Sequence, residues 1–333
     1  MNIARTLGSA ALALTLAACA GNDRDRYIPS ADELARFERV TTFDGRVLEV
    51  DLPRGDGTRD RFDAVRDEWY SWSYVPARLG YVGRRWTLGK TTATHTSMVY
   101  AVVSWNDDNP TDYLAAGWWL RFPGRYSFRR GLSLVDAESA AFIDGPELDI
   151  SDPPRLPDGG TATYAGGAGG FYRYREGGAG TGADAPAHVE EFSGTMVITA
   201  DFSDNTLRGC LGCVGDLVPE REHLYAVLRR QAGEPAVPPT DYELHFGVTG
   251  ITPGGTFVNT DVTVVHSERT VTESSGYWDG RLSNRPAAGG HPRLVVGSSD
   301  VEFVEADGSR GQFRSLFTVF DESLLPPAPN PDP

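Results

Sequence analysis

The chain has 333 residues and a formal net charge of −15, with 31 basic against 46 acidic side chains. That length holds two domains of ordinary size, and the acidic balance repels nucleic-acid phosphates and anionic membrane surfaces alike, which argues against nucleic-acid binding and against attachment to a membrane by charge. Lys90 is the only lysine, and with so much Ala, Gly and Pro the arginine excess reads as coding bias.

Arg5 is followed by a short apolar run over residues 7–16 and then by Ala17, Ala18 and Cys19. The run is too short to cross a bilayer and has the flanks of a cleaved export signal. Two small residues directly before a cysteine resemble the lipobox of bacterial lipoproteins, whose thiol is acylated and becomes the first residue. Residues 1–18 are therefore expected to be a lipoprotein signal peptide, and Cys19 the lipidation site that anchors the chain to a membrane. Acyl chains such as palmitate contribute about 0.8 kcal/mol per buried CH₂, and two or more hold a protein in place. Residues 19–29 are polar and aperiodic and read as a tether. Ser30, Ala31, Asp32 and Glu33 form a capping box that starts a short helix, with Leu34 and Phe37 on one face.

From Phe43 onward, short runs of Val, Tyr, Trp and Thr are split by Gly, Pro and Asp, the pattern of β-sheet. Residues 30–150 are expected to form a β-rich handle-like domain. Within it, residues 69–74 (WYSWSY) set aromatics among small residues. Trp69, Trp72 and Tyr74 are candidate anchors of a binding surface, because Trp and Tyr dominate interface energetics; a place in the domain core is the alternative. Residues 83–91 (GRRWTLGKT) approach a phosphate-binding loop, but five residues separate Gly83 from Gly89, and the motif has four. Arg84, Arg85 and Trp86 are also bulky where backbone must wrap phosphate, so a β-turn is expected. Residues 105–112 (WNDDNPTD) match no EF-hand spacing and read as a solvated turn with Asx bonds. Residues 121–130 (RFPGRYSFRR) make a basic island on an acidic protein. Arg125, Arg129 and Arg130 are candidate docking cations there, with a solvated loop as the alternative.

Residues 144–160 are dense in Pro, Asp and Gly and mark the domain boundary. Beyond it strand signals become regular. Residues 195–202 alternate, with Met196, Ile198, Ala200 and Phe202 on one face, and a turn follows at Ser203, Asp204 and Asn205. Residues 243–248 alternate again, and Asp307-Gly308 separates two strands as a hairpin turn. About eight strands are expected over residues 158–322, and eight antiparallel strands close into an up-and-down barrel that side chains fill or that holds one small ligand. Residues 176–187 read as a mobile loop and residues 323–333 as a disordered Pro-rich tail.

With Cys19 acylated, Cys210 and Cys213 remain, and one pair in an exported chain is expected to be a disulfide. The C-x-x-C spacing also occurs in redox pairs and zinc sites. Here glycine flanks the pair where a redox site has a helix, and no second pair supplies further zinc ligands. His245 and His266 fall on strands expected to be neighbours; haem or metal ligation stands against an ordinary place on the wet face of a sheet. Neither G-x-S-x-G nor H-E-x-x-H occurs, and no enzyme activity, metal site or cofactor is expected.

Residues 160–172 (GTATYAGGAGGFY) look like the opening barrel strand of the transferrin-binding protein B family of surface lipoproteins. Further along, Ala200-Asp201-Phe202 with Asn205-Thr206-Leu207 resembles the family's second hairpin. Residues 276–282 (GYWDGRL) resemble its late G-x-W-x-G strand, and residues 311–317 (GQFRSLF) its closing G-x-F-x-G-x-F strand. Upstream, residues 112–120 (DYLAAGWWL) resemble the sheet that precedes the barrel in single-lobe relatives. The resemblance spans most of residues 110–320. It implies a handle domain and an eight-stranded barrel on an outer-membrane, surface-displayed lipoprotein. Such a protein captures a macromolecular ligand, in iron or haem acquisition or by holding a host protein. The chain has room for one lobe where the full family has two. Ser315 replaces the second glycine of the closing motif, and residues 284–289 replace the usual Gly-Pro-x-Ala stretch, so transferrin binding itself does not carry over. The expected partner is a protein ligand or another envelope protein. The rival classes are a small-molecule or haem carrier using the barrel interior, and a structural envelope protein.

Overall fold

The computed structural model describes residues 39–54, 57–74, 81–106, 108–125, 137–145, 156–177, 187–219, 237–283 and 290–324. The signal, Cys19, the tether and the capping box lie outside these residues, as do Arg129 and Arg130; of Tyr74 only the backbone is described. Among the described residues the fold is all-β, in three antiparallel sheets, and no helix is long and apolar enough to cross a membrane.

The first sheet holds β1 (Thr41–Phe43), β2 (Leu48–Pro53) and β3 (Arg59–Asp63). Its strands alternate, so Phe43, Leu48, Val50, Leu52 and Phe62 fall on one buried face. A single helical turn, α1 (Ala64–Asp67), follows, with Asp63 as its N-cap accepting from the Val65 amide.

The second sheet is a meander of β4 (Glu68–Tyr74), β5 (Tyr81–Thr91), β6 (His95–Asn106), β7 (Asn109–Pro123) and β8 (Glu138–Asp144), in that order. Both faces are covered. Trp86, Val99, Ala101, Val103 and Trp105 pack under the first sheet. Met98, Tyr100, Leu114, Trp118 and Phe122 face the other way and meet Phe171, Leu294 and Leu316 of the third sheet. A strand buried on two faces needs apolar residues at every position, which is why residues 98–103 (MVYAVV) run without alternation.

The turn expected at residues 83–91 does not form; these residues lie inside β5. Gly89 is there for packing: a Cβ on it would sit 2.3 Å from the Trp69 ring. Trp86 and Leu88 are fully buried in the core beneath the first sheet. The Asx turn between β6 and β7 is present, with Asp108 N donating to Asn106 Oδ1 at 3.1 Å.

The third sheet begins with β9 (Thr161–Arg175), β10 (His188–Asp201), β11 (Thr206–Leu211), β12 (Val218–Pro219) and β13 (Tyr242–Gly250). It continues with β14 (Thr256–Asn259), β15 (Val262–His266), β16 (Val271–Leu282), β17 (Leu294–Glu305) and β18 (Arg310–Asp321). The ten strands run β14-β16-β17-β18-β9-β10-β11-β13-β15, with β12 paired to β10. Ten strands stand where about eight were expected: β12 is a two-residue addition, and β14 and β15 are short pieces with Thr260 and Asp261 between them. Among the described residues no continuous ladder joins the two ends of the sheet. Its inner face is filled by rings, among them Tyr164, Tyr172, Phe192, Phe246, Trp278 and Phe313. Tyr172 and Phe313 lie 4.7 Å apart, and Phe246 stacks on Trp278 at 5.1 Å. Each fully buried ring of this size contributes on the order of 2–3 kcal/mol.

Candidate functional site

The second and third sheets approach one another at β7, β8, β17 and β18. Beside that contact they leave a cleft of about 730 Å³. One wall is Tyr100, Val102, Ala116 and Trp118 of the second sheet; the other is the glycine run of β9 with neighbouring parts of β10 and β18. The glycines divide into two kinds. A Cβ on Gly166 would lie 2.3 Å from the Thr318 carbonyl oxygen, and one on Gly170 would lie 1.9 Å from that of Arg314, so these positions let β9 and β18 pack closely. A Cβ on Gly167 would meet nothing within 4 Å. Gly167 therefore opens the wall of the cleft and leaves bare backbone there.

The floor is aromatic. Trp118 packs on Phe171 with ring centroids 5.3 Å apart, and the Arg314 guanidinium lies 5.2 Å from the Trp118 ring. The Trp118 indole N–H is buried and has no hydrogen-bond partner among the described residues. Arg85 stands on one wall, and Glu191 and Asp216 on the other, so a cation and two carboxylates face each other across apolar surface.

Of the candidate aromatics, Trp72 stands nearest the cleft, beside its Arg85 wall. Trp72 pairs with Arg85, Arg85 with Val102, and Val102 with Ala116, so one ladder row carries Trp72 onto the cleft side of the sheet. The Arg85 guanidinium lies 5.5 Å from the Trp72 ring. Trp72 remains 52% exposed and Tyr70 53%. Trp69 differs: a bulge between Glu68 and Tyr70 turns its ring over Gly89, half-buried against the inter-sheet core. Tyr70 was not among the sequence candidates. Its signal was its spacing of two from Trp72, which puts both on one face of a strand. Arg125 is exposed beyond the end of β7 and does not line the cleft.

Cys210 and Cys213 are joined as a disulfide, with Cα atoms 5.9 Å apart. Cys210 pairs with His245 across β11 and β13, and Glu243, two residues earlier, points to the same side. Cys213 Sγ lies 3.6 Å from Glu243 Oε2 and 3.9 Å from the His245 ring nitrogens; His245 Nε2 is 2.9 Å from Glu243 Oε2. A second C-x-x-C pair is absent from the sequence, yet the strand register brings two other metal-ligating side chains to the first. His266 is on β15, next to β13, and serves a turn: its Nδ1 accepts from the Glu268 and Arg269 amides at 3.0 and 3.1 Å. Burial lowers its pKa.

No protein-family model matches the chain, and no curated protein matches it.

Proposed function

We propose that the protein is a lipid-anchored outer-membrane lipoprotein that captures a macromolecular ligand at the cell surface. Cys19 carries the anchor, and the binding surface is the β4 edge together with the cleft. The carrying observation is the pair Tyr70 and Trp72, half exposed on an edge strand beside Arg85, which lines an apolar cleft. Rigid exposed aromatics beside a desolvated pocket are the usual anchors of protein recognition, and an edge strand offers unpaired backbone groups to a partner.

The eight-stranded barrel implied by the family resemblance belongs to this proposal. Two features support it. Counting β14 and β15 as one broken strand and setting β12 aside gives eight consecutive strands. Cross-links also run at the seam: Thr249 Oγ1 of β13 donates to Val258 O of β14 at 3.0 Å, and Val264 N of β15 donates to Ser274 Oγ of β16 at 3.0 Å. The rings that fill the inner face weigh against a haem or small-molecule carrier that uses the interior.

The test uses the soluble fragment that begins after Cys19, immobilised and exposed to proteins from the cell's surroundings. One specifically retained partner is expected, and Trp72→Ala with Tyr70→Ala should abolish its retention. Retention that survives both substitutions overturns the assignment of the site. Protease added to intact cells should cleave the protein; full protection overturns surface display.

A further inference from the structure

We propose that reduction of the Cys210–Cys213 disulfide opens a zinc site whose ligands are the two thiolates, the His245 imidazole and the Glu243 carboxylate. This inference is independent of ligand capture and lies at a different part of the third sheet. The four side chains offer ligand atoms that all lie within 4.8 Å of one another. Tetrahedral zinc, with bonds of about 2.0–2.3 Å, needs ligand atoms spaced roughly 3.3–3.8 Å apart. The Cys213 sulfur already lies 3.6 Å from the Glu243 oxygen and 3.9 Å from the His245 nitrogens. Once the S–S bond is broken, the two sulfurs must separate, and the 2.9 Å hydrogen bond between Glu243 and His245 must open by a few tenths of an ångström as both turn to the metal.

The backbone presets this geometry. Glu243 and His245 are two apart on β13 and share a face. Cys210 is held opposite His245 by the ladder. Gly212 turns the chain with φ of +89°, and a Cβ there would meet the Tyr242 carbonyl oxygen at 2.6 Å. The Cys213 turn therefore stays pressed against β13. The donor set selects the metal class: two thiolates and an imidazole suit zinc, whereas calcium and magnesium take oxygen ligands. The side chains of Glu243 and His245 are 44% and 45% exposed, so an ion reaches them from solvent.

The chemistry balances with a dithiol as the reductant. Its two S–H bonds are replaced by one S–S bond as it is oxidised. The Cys210–Cys213 S–S bond breaks, and two S–H groups form in its place. Zn²⁺ then forms two Zn–S bonds and releases two protons to water, while His245 in its neutral form and the Glu243 carboxylate supply lone pairs. Disulfide and bound metal exclude each other, so oxidation ejects the ion.

Cobalt(II) reports the site. The full chain is reduced with dithiothreitol, freed of it without oxygen, and titrated with Co²⁺ and then Zn²⁺. One Co²⁺ per chain is expected, with thiolate-to-cobalt charge-transfer absorption and the intense visible bands of tetrahedral cobalt, displaced by one Zn²⁺. The oxidised chain should show neither band. Cys210→Ser with Cys213→Ser should abolish both, His245→Ala should weaken binding by an order of magnitude or more, and Glu243→Gln should shift the visible bands. The proposal is overturned if the reduced chain binds Co²⁺ no more tightly than the double serine variant, or if His245→Ala leaves affinity unchanged. Loss of the β-sheet circular dichroism on reduction also overturns it, because the site exists only while β11 and β13 remain paired.

Discussion

Arg269 closes over the buried carboxylate of Glu305, with Nη2 and Nε 2.5 and 2.7 Å from Oε2. The Arg269 side chain is 31% exposed and that of Glu305 only 2%. Tyr242 and Tyr174 also donate to Glu305, at 2.6 and 2.9 Å, and Arg269 reaches Asp307 at 2.9 Å. Both carboxylate oxygens thereby accept hydrogen bonds, and a cation faces the charge, which is what burying it requires.

That network sets a pH dependence. Burial pushes the Glu305 carboxyl up, but hydrogen bonds from Arg269, Tyr242 and Tyr174 outweigh burial and hold it below the usual carboxylate range. A carboxyl depressed in the fold adds stability above its unfolded value of about 4.3 and loses it as pH falls through the folded value. The Glu305 contribution to the urea midpoint, read as the difference between the native chain and Glu305→Gln, should be constant above about pH 5 and shrink below about pH 4. Arg269→Ala should cost about 3 kcal/mol near neutrality by leaving a buried carboxylate without its cation. Its deficit should shrink as the pH is lowered and Glu305 takes up a proton.

The glycine run of β9 makes a paired prediction. Gly170→Ala forces a methyl into the Arg314 carbonyl and should cost about 2 kcal/mol or more. Gly167→Ala, three residues away, projects into open space and should change stability by less than about 0.5 kcal/mol. Urea unfolding of the two variants checks the contrast. Gly167→Leu should keep the fold and fill the cleft, and under the proposed function it should reduce ligand retention.

Asp144 fastens the first sheet to the second. Its Oδ2 accepts from Val40 N at 2.9 Å, Thr41 N at 2.5 Å and Thr41 Oγ1 at 2.6 Å, and its Oδ1 accepts from Gly145 N at 2.7 Å. Asp144→Ala leaves several buried donors unpaired and should cost about 3 kcal/mol. Hydrogen exchange should show the loss first in β1 and β2.

Reducing the Cys210–Cys213 ring should lower stability by about 2 kcal/mol, as closing so short a loop removes little entropy from the unfolded chain. Thermal melts with and without a dithiol, in a metal chelator, measure it. A loss much larger than this would mean that the turn around Gly212 has collapsed.

The third sheet was the most legible part of the chain. Met196, Ile198, Ala200 and Phe202 alternate in sequence and are all buried in one core. Gly308 takes φ of +85°, as the Asp307-Gly308 turn requires. A sheet with one wet face advertises itself by period two. The second sheet lacks that signal because it is covered on both sides. Its glycines misled for a related reason: Gly83 and Gly89 read as turn punctuation, yet Gly89 makes room for a tryptophan. The candidate sites were hidden by distance along the chain. Glu243-Leu244-His245 is plainly spaced for one face of a strand, but nothing in the sequence pairs that strand with Cys210. The cleft needs Gly167 to face Val102 and Ala116 from another sheet, a relation that no local pattern encodes.

The core between the second and third sheets joins Trp118 and Leu114 to Phe171, Leu294 and Leu316. Residues 144–160 look like a place to cut the chain, but severing it there would strand a large greasy face on either piece. The second sheet is thus less a detachable grip than one half of a hinge plate riveted to its counterpart. A binding event at Trp72 would be felt by β9 and β18 as directly as by the strand that carries it.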